Sequence, residues 1–118
     1  MTEIQCNVSV KHTNMCGYLM GGQLLAWADQ FASTEALREH PGCRFVTKSF
    51  DNAVFNTQVW GKTDLRFQIC KTRTGVTSVT YLVNVFLRNK IIFDTSITYM
   101  NVDINGNKKK IQDEEESV

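Results

Sequence analysis

The residues from 21 to 42 decide the fold, and they read Gly21-Gly22-Gln23-Leu24-Leu25-Ala26-Trp27-Ala28-Asp29-Gln30-Phe31-Ala32-Ser33-Thr34-Glu35-Ala36-Leu37-Arg38-Glu39-His40-Pro41-Gly42. Apolar residues recur here at spacings of three and four, as on one face of an α-helix; they are Leu24, Leu25, Ala28, Phe31, Ala32 and Ala36. Pro41, the sole proline of the chain, follows them and is a helix stop signal. We therefore predict one helix from Gln23 to Glu39, preceded by the Gly21-Gly22 pair.

The chain on either side of this helix alternates between apolar and polar residues, which is typical of β-strands. One short strand is predicted before the helix, at residues 2–10. Four longer strands are predicted after it, at residues 44–55, 64–74, 76–88 and 91–102, with Asn89-Lys90 as a two-residue hairpin connection. This order predicts an α+β hotdog fold, one long central helix wrapped by a curved antiparallel sheet of about five strands; a ubiquitin-like or cystatin-like roll is the competing topology.

The bulk composition fits one small domain. The chain has 118 residues and a formal net charge of +1, which gives no long-range field to recruit nucleic acid or an anionic membrane. No apolar run is long enough to span a bilayer, so a cytoplasmic protein is expected. We assign residues 1–104 to a single domain and residues 105–118 to a charged tail, which is expected to be disordered.

The cysteines and histidines do not predict a metal or disulfide site. The four cysteines include no Cys-x-x-Cys pair, and reduced thiols are expected. His12 and His40 lack partners at metal-ligand spacing, so no metal is expected. No organic cofactor is expected either.

The segment from Asn14 to Asp29 resembles the motif of the acyl-CoA hydrolase family of hotdog thioesterases. The shared features are an Asn, a Gly three positions on, a Gly-Gly pair opening the helix, and an Asp seven positions after the second Gly. Two further segments are similar, Val46-Thr47 with Asp51-Asn52-Ala53-Val54-Phe55 and the Gly-x-Thr-Ser turn in Gly75-Val76-Thr77-Ser78-Val79, and the resemblance spans roughly residues 5 to 103. The chain departs from the family at Asn56-Thr57-Gln58, where a proline is usual, and at Gly61-Lys62-Thr63-Asp64, where Gly-Asp is usual.

The resemblance implies hydrolysis of acyl-CoA to a free acid and CoA. Asp29 would be the catalytic base or nucleophile, and the backbone N–H groups at Gly21 and Gly22 would polarise the thioester carbonyl. Asn14 would orient water or substrate, facing Asp29 of the other subunit in a homodimer or in a homohexamer built as a trimer of dimers. Thr77 and Ser78 would lie near the pantetheine arm of the substrate.

Each of these residues also has a plainer interpretation. Asp29 is expected at the flank of the apolar stripe, half-buried near the core, and its plainer interpretation is an exposed aspartate on the surface of the helix. The Gly-Gly pair can simply end a loop, Asn14 is a common turn residue, and Ser78 is an ordinary residue at a strand start.

Two other functions compete with hydrolysis. A hotdog dehydratase uses a loop histidine in a His-Phe-Pro context beside an acidic helix residue, and His12 has no such context. A non-catalytic acyl-CoA-binding module is the alternative from another class, and it differs from the enzyme by binding substrate without releasing CoA.

Overall fold

A computed structural model describes residues 1–111 of the chain. The elements in chain order are β1 (Thr2–Val8), a short 3-10 turn (Val10–His12), α1 (Gly21–Glu39), β2 (Phe45–Phe55), β3 (Thr63–Thr74), β4 (Ser78–Leu87) and β5 (Lys90–Asn101). The predicted order of one strand, one helix and four strands is confirmed.

The five strands form one antiparallel sheet in the order β1-β3-β4-β5-β2. β1 pairs with β3 at one edge, and β2 pairs with β5 at the other. The connection that contains α1 therefore links the two edge strands, and the helix lies across the inner face of the sheet. Two register irregularities fall in β2, between Thr47 and Ser49 and between Asp51 and Val54; such bulges bend and twist an edge strand.

The core lies between the inner face of the sheet and one face of α1. Strict alternation along the two central strands sends every second side chain inward, because strand side chains have a period of two. On β4 and β5 the buried residues that follow this alternation are Val79, Tyr81, Val83, Val85, Phe93, Thr95, Ile97, Tyr99 and Asn101, and Ile92 is buried as well, beside Phe93. The helix contributes Leu24, Ala28, Ala32 and Ala36, so small side chains let the helix approach the sheet closely.

The hairpin between β4 and β5 differs from the prediction. Leu87 pairs with Lys90, so the turn residues are Arg88 and Asn89, one position earlier than predicted. Arg88 has a φ of 58°, a left-handed conformation that suits a two-residue hairpin turn but is uncommon for a side chain of its size. A register shift between Val85 and Phe86 precedes the turn, and it explains why alternation alone did not locate it.

The chain keeps its contacts with the domain beyond the predicted boundary at residue 104. It turns at Gly106 and returns so that Lys109 donates its N–H to the Asn101 carbonyl, and Ile111 donates to the Val76 carbonyl at 2.9 Å. These bonds differ from the disorder expected for the start of the tail. The expectation for residues 112–118 lies outside the described residues.

Within residues 1–111, no helix is both long enough and apolar enough to cross a membrane.

Candidate active site

Asp29 lies on the face of α1 that turns toward β2 and β5. Its Oδ1 accepts hydrogen bonds from the Tyr99 hydroxyl at 2.9 Å and from the Thr47 hydroxyl at 3.0 Å. Thr47 and Tyr99 are directly opposite each other on neighbouring strands, so the two donors converge on one oxygen. Oδ2 accepts no hydrogen bond from residues 1–111. One carboxylate oxygen is therefore fixed, and the other remains available to a ligand or water.

The N-terminus of α1 has no side-chain cap. Met20 occupies the capping position and provides no side-chain hydrogen bond. Its carbonyl accepts from the N–H groups of Gln23 and Leu24, so the N–H groups of Gly21 and Gly22 have no acceptor among the described residues. Unpaired N–H groups at a helix N-terminus attract a negatively charged oxygen, because the partial positive charge of each N–H group and that of the helix dipole act together.

The two glycines at this end differ in their surroundings. A Cβ on Gly21 would lie 3.2 Å from Cε1 of Phe55, whereas a Cβ on Gly22 would have no atom within 4 Å. The absence of a side chain at Gly22 is therefore not explained by packing within the described chain. This leaves room beside its N–H for another molecule.

Asn14 begins the tight turn that leads into the helix. Its Oδ1 accepts from the N–H groups of Cys16 and Tyr18, and its carbonyl accepts from Gly17, which has a φ of 87°. The turn is held in place by Leu19, whose N–H donates to the Val59 carbonyl. The side-chain carbonyl of Asn14 is thus used for the turn, while its exposed Nδ2 has no acceptor within residues 1–111 and remains a donor.

Ser78 begins β4 and Thr77 directly precedes it. Val79 points inward, so Ser78 points to the outer face of the sheet, and the Thr77 carbonyl accepts from the Asn101 N–H. No hydrogen bond joins Asn14, Asp29 and Ser78 to one another within the described chain. The role of Thr77 and Ser78 in substrate binding stays a prediction.

A cavity of about 180 Å³ opens beside the helix N-terminus. Its lining is mostly apolar and consists of Leu19, Gly21, Leu24, Phe55, Thr57, Gln58 and Val59. Asn56, at one departure from the family pattern, donates its N–H to the Ile92 carbonyl at 2.7 Å. A proline has no N–H to donate, so the departure changes how the segment that follows β2 is held.

Residues 1–111 contain no group of three or more His, Cys, Asp or Glu side chains that could hold a metal ion. The aromatic residues of the helix pack in the core: the rings of Trp27 and Phe31 both meet Phe67 edge-on.

No protein-family model and no curated protein sequence matches this chain. Solved structures do match. A hexameric thioesterase from Yersinia pestis is 22% identical with a TM-score of 0.85, and the match covers 93% of each chain. A hexameric hotdog-fold thioesterase from Campylobacter jejuni is 24% identical with a TM-score of 0.81, over 97% of this chain and 92% of that one.

This chain has the hotdog fold. A third structure with the same architecture is an acyl-CoA hydrolase from Staphylococcus aureus, solved in complex with butyryl-CoA, CoA and CoA disulfide. It is 23% identical with a TM-score of 0.81, over 98% of this chain and 77% of that one. At these identities the likeness establishes the fold, and the predicted hotdog architecture is confirmed.

Two residues of the candidate site were missed in the sequence. The sequence places Thr47 in a segment that is similar to the family and Tyr99 in the predicted strand at residues 91–102, and neither pattern indicates a contact with Asp29. Tyr99 is separated from Asp29 by 70 residues, and only the order of the strands brings them together. The alternation of its strand places Tyr99 on the buried face, and a buried tyrosine hydroxyl usually has a hydrogen-bond partner. The sequence therefore indicated that Tyr99 has a partner, but not which one.

Proposed function

We propose that this protein is an acyl-CoA thioesterase that hydrolyses acyl-CoA to a carboxylic acid and CoA. The observation that carries the proposal is the Asp29 carboxylate, half-buried on the central helix of a hotdog fold, with Oδ1 held by Thr47 and Tyr99 and Oδ2 without a partner in the described chain. Such a group is a base or nucleophile that is already oriented.

The chemistry requires little beyond this carboxylate and an oxyanion site. With Asp29 as base, Oδ2 takes a proton from water while the water oxygen attacks the carbonyl carbon. Negative charge then develops on the carbonyl oxygen, which accepts hydrogen bonds from N–H groups such as those of Gly21 and Gly22. The intermediate collapses by breaking the C–S bond, and CoA leaves as a thiolate that needs no strong acid, since a free thiol has a pKa of about 8.5.

Asp29 can also act as the nucleophile. Oδ2 then forms a mixed anhydride with the acyl group as the thiolate leaves, and water hydrolyses the anhydride in a second step. The geometry of the carboxylate serves either route.

The arrangement favours a site shared between two subunits. Gly22 and Asp29 are separated by about 10 Å along the helix, at 1.5 Å per residue. The N–H groups of Gly21 and Gly22 point out of the helix end, whereas Asp29 faces the sheet. We propose that Asn14 and the helix N-terminus of one subunit face Asp29 of the other, with Nδ2 of Asn14 donating to water or substrate.

The edge strand β2 supports this assembly. It has no partner on its outer side within the described residues, and it exposes the large apolar side chains of Val46, Phe50, Val54 and Phe55. Long apolar edge strands are usually covered by another chain. We propose a homodimer joined at β2, or a homohexamer built from three such dimers; the Yersinia and Campylobacter structures are of hexameric proteins.

The ligand of the Staphylococcus structure supports acyl-CoA as the substrate class. Its hydrolase has also been studied as variants in which an aspartate or a threonine is replaced by alanine. In this chain an aspartate and a threonine are hydrogen-bonded to each other, since the Thr47 hydroxyl donates to Asp29.

The test is an assay of thiol release from short-, medium- and long-chain acyl-CoAs by the wild type and by Asp29→Asn. We expect turnover by the wild type and a loss on the order of 100-fold or more in the variant. The matched control is Asp64→Asn, since Asp64 is an exposed aspartate whose carboxylate only accepts from Asn7. Absence of thiol release from every acyl-CoA, with binding retained, would contradict the enzyme and identify a non-catalytic acyl-CoA-binding module instead.

A further inference from the structure

Two buried tyrosines on the central strands each donate a hydrogen bond to a carboxylate of the helix. Tyr99, on β5, donates to Asp29, and Tyr81, on β4, donates to Glu39 near the helix C-terminus. Both phenols are at most 1% exposed. Their rings pack edge-on with centroids 6.4 Å apart. The two tyrosines therefore lie in one part of the core, but one donates to the middle of the helix and the other to its C-terminal end.

The Tyr99 hydroxyl has two acceptors on one residue. It lies 2.9 Å from Oδ1 of Asp29 and 2.9 Å from the backbone carbonyl oxygen of the same residue, and its single proton is shared between them. Its ring is held by packing against Phe45 and Tyr81. A donor anchored in the core in this way limits the rotation of the Asp29 side chain.

The phenol keeps its proton at neutral and mildly alkaline pH. Burial, and then the hydrogen bond to Asp29, raise the pKa of Tyr99 above its ordinary value. The titratable groups that act on Tyr99 are Asp29 and Tyr81, within the described chain, while Thr47 on the other side of the carboxylate is uncharged. Tyr99 is therefore a hydrogen-bond donor over this pH range.

We propose that Tyr99 is a positioning residue of the active site: its hydroxyl holds Oδ1 of Asp29 so that Oδ2 is the oxygen that acts on water or on the thioester. The inference rests on the proposed thioesterase function. Tyr99 itself does not touch substrate, because it lies in the core behind the carboxylate. Its contribution is to fix the direction of Oδ2.

The chain offers a matched control for this role. Tyr99→Phe and Tyr81→Phe each remove one buried hydroxyl that donates to a helix carboxylate, and both leave the ring in the core. Loss of stability is expected in both. Loss of kcat with little change in KM is expected only in Tyr99→Phe, by roughly 10- to 100-fold, the usual worth of a hydrogen bond to a charged group.

A double substitution tests whether Tyr99 acts through Asp29. In the Asp29→Asn background, Tyr99→Phe is expected to cause no further loss of kcat, because the group it positions is already gone. Equal kcat values in Tyr99→Phe and Tyr81→Phe would overturn the inference while leaving the thioesterase itself intact.

A measurement without substrate separates this inference from the proposed function. The side-chain dihedral angle of Asp29 is compared in crystal structures of the wild type and of both phenylalanine variants. We expect the carboxylate to rotate in Tyr99→Phe and to keep its direction in Tyr81→Phe, because only the first variant loses a donor to Oδ1. Failure of the proposed function would appear as no turnover by the wild type, whereas the same Asp29 dihedral angle in both variants would overturn the positioning role.

Discussion

Gly21 lies against the ring of Phe55, so that a Cβ at this position would be 3.2 Å from Cε1 and 3.3 Å from Cζ of the ring. The next residue, Gly22, faces open space within the described chain. The two glycines of one pair are therefore required for different reasons. Gly21 permits the contact between the helix and β2, while Gly22 leaves a space where an acyl-CoA is proposed to approach the helix end.

Substitution of each glycine by alanine separates these roles. Gly22→Ala is expected to keep or slightly raise Tm, because alanine has the better helix propensity by as much as about 1 kcal/mol, and to lower kcat/KM because its methyl group obstructs the thioester. Gly21→Ala is expected to lower Tm because the Phe55 ring must shift. Thermal unfolding and thiol release are measured on both variants; an unchanged kcat/KM in Gly22→Ala would contradict the placement of the substrate.

Thr47 is expected to contribute to catalysis through its hydroxyl. Thr47→Val keeps the shape of the side chain but removes the donor to Oδ1 of Asp29, and we expect kcat to fall by roughly 10-fold. Thr47→Ser retains the hydroxyl and is expected to keep most of the activity. Equal losses in the two variants would assign Thr47 a packing role.

Glu35 is expected to make the fold sensitive to acid. The Arg38 guanidinium hydrogen-bonds to this buried carboxylate and holds its pKa below the ordinary value. A carboxyl with a lower pKa in the folded state stabilises the fold above its unfolded pKa of about 4.3, and this stability is lost as the pH falls through the folded value.

The free energy of unfolding of the wild type should therefore decrease below a pH of about 4.3 more steeply than that of Glu35→Gln. Urea unfolding at a series of pH values measures both slopes. Glu3→Gln, which removes an exposed carboxylate from a surface ion pair with Arg66, is the control. Parallel curves for the wild type and Glu35→Gln would show that the Glu35–Arg38 pair does not couple folding to pH.

The segment after residue 104 is expected to contribute to stability. Ile111 packs against the core and donates to the Val76 carbonyl, and Nδ2 of Asn101 donates to the Lys110 carbonyl. A chain that ends at residue 104 should therefore have a lower Tm than one that ends at residue 111. Equal Tm values would support the predicted domain boundary at residue 104.

The fold was predictable because its elements are periodic. One buried face gives the helix its apolar residues at spacings of three and four from Leu24 onward, and gives the strands their alternation through Val79 and Phe93. Both kinds of spacing are visible in the local sequence. The residues of the hairpin turn were not predictable, because the sequence marks neither the left-handed conformation of Arg88 nor the register shift before it.

The candidate site was predictable only in part. Asp29 and the glycine pair lie within one short segment, and the resemblance located them there. Thr47 and Tyr99 reach Asp29 from two different strands, so their contact depends on the strand order and register rather than on any spacing in the sequence. The burial of Glu35 was not predictable, because a charged residue is rarely buried, and a partner one turn away such as Arg38 is equally common on an exposed helix face.

Thr47 lies on β2, an edge strand that pairs only with β5 within the described chain. Whatever pairs with the open side of β2 will also restrain Thr47, and with it the carboxylate oxygen that Thr47 holds. In the proposed dimer, quaternary structure and the proposed acid–base role of Asp29 would therefore be linked. Dilution that separates the subunits of the proposed dimer is expected to remove this restraint on Thr47 and Asp29, so specific activity is expected to depend on protein concentration.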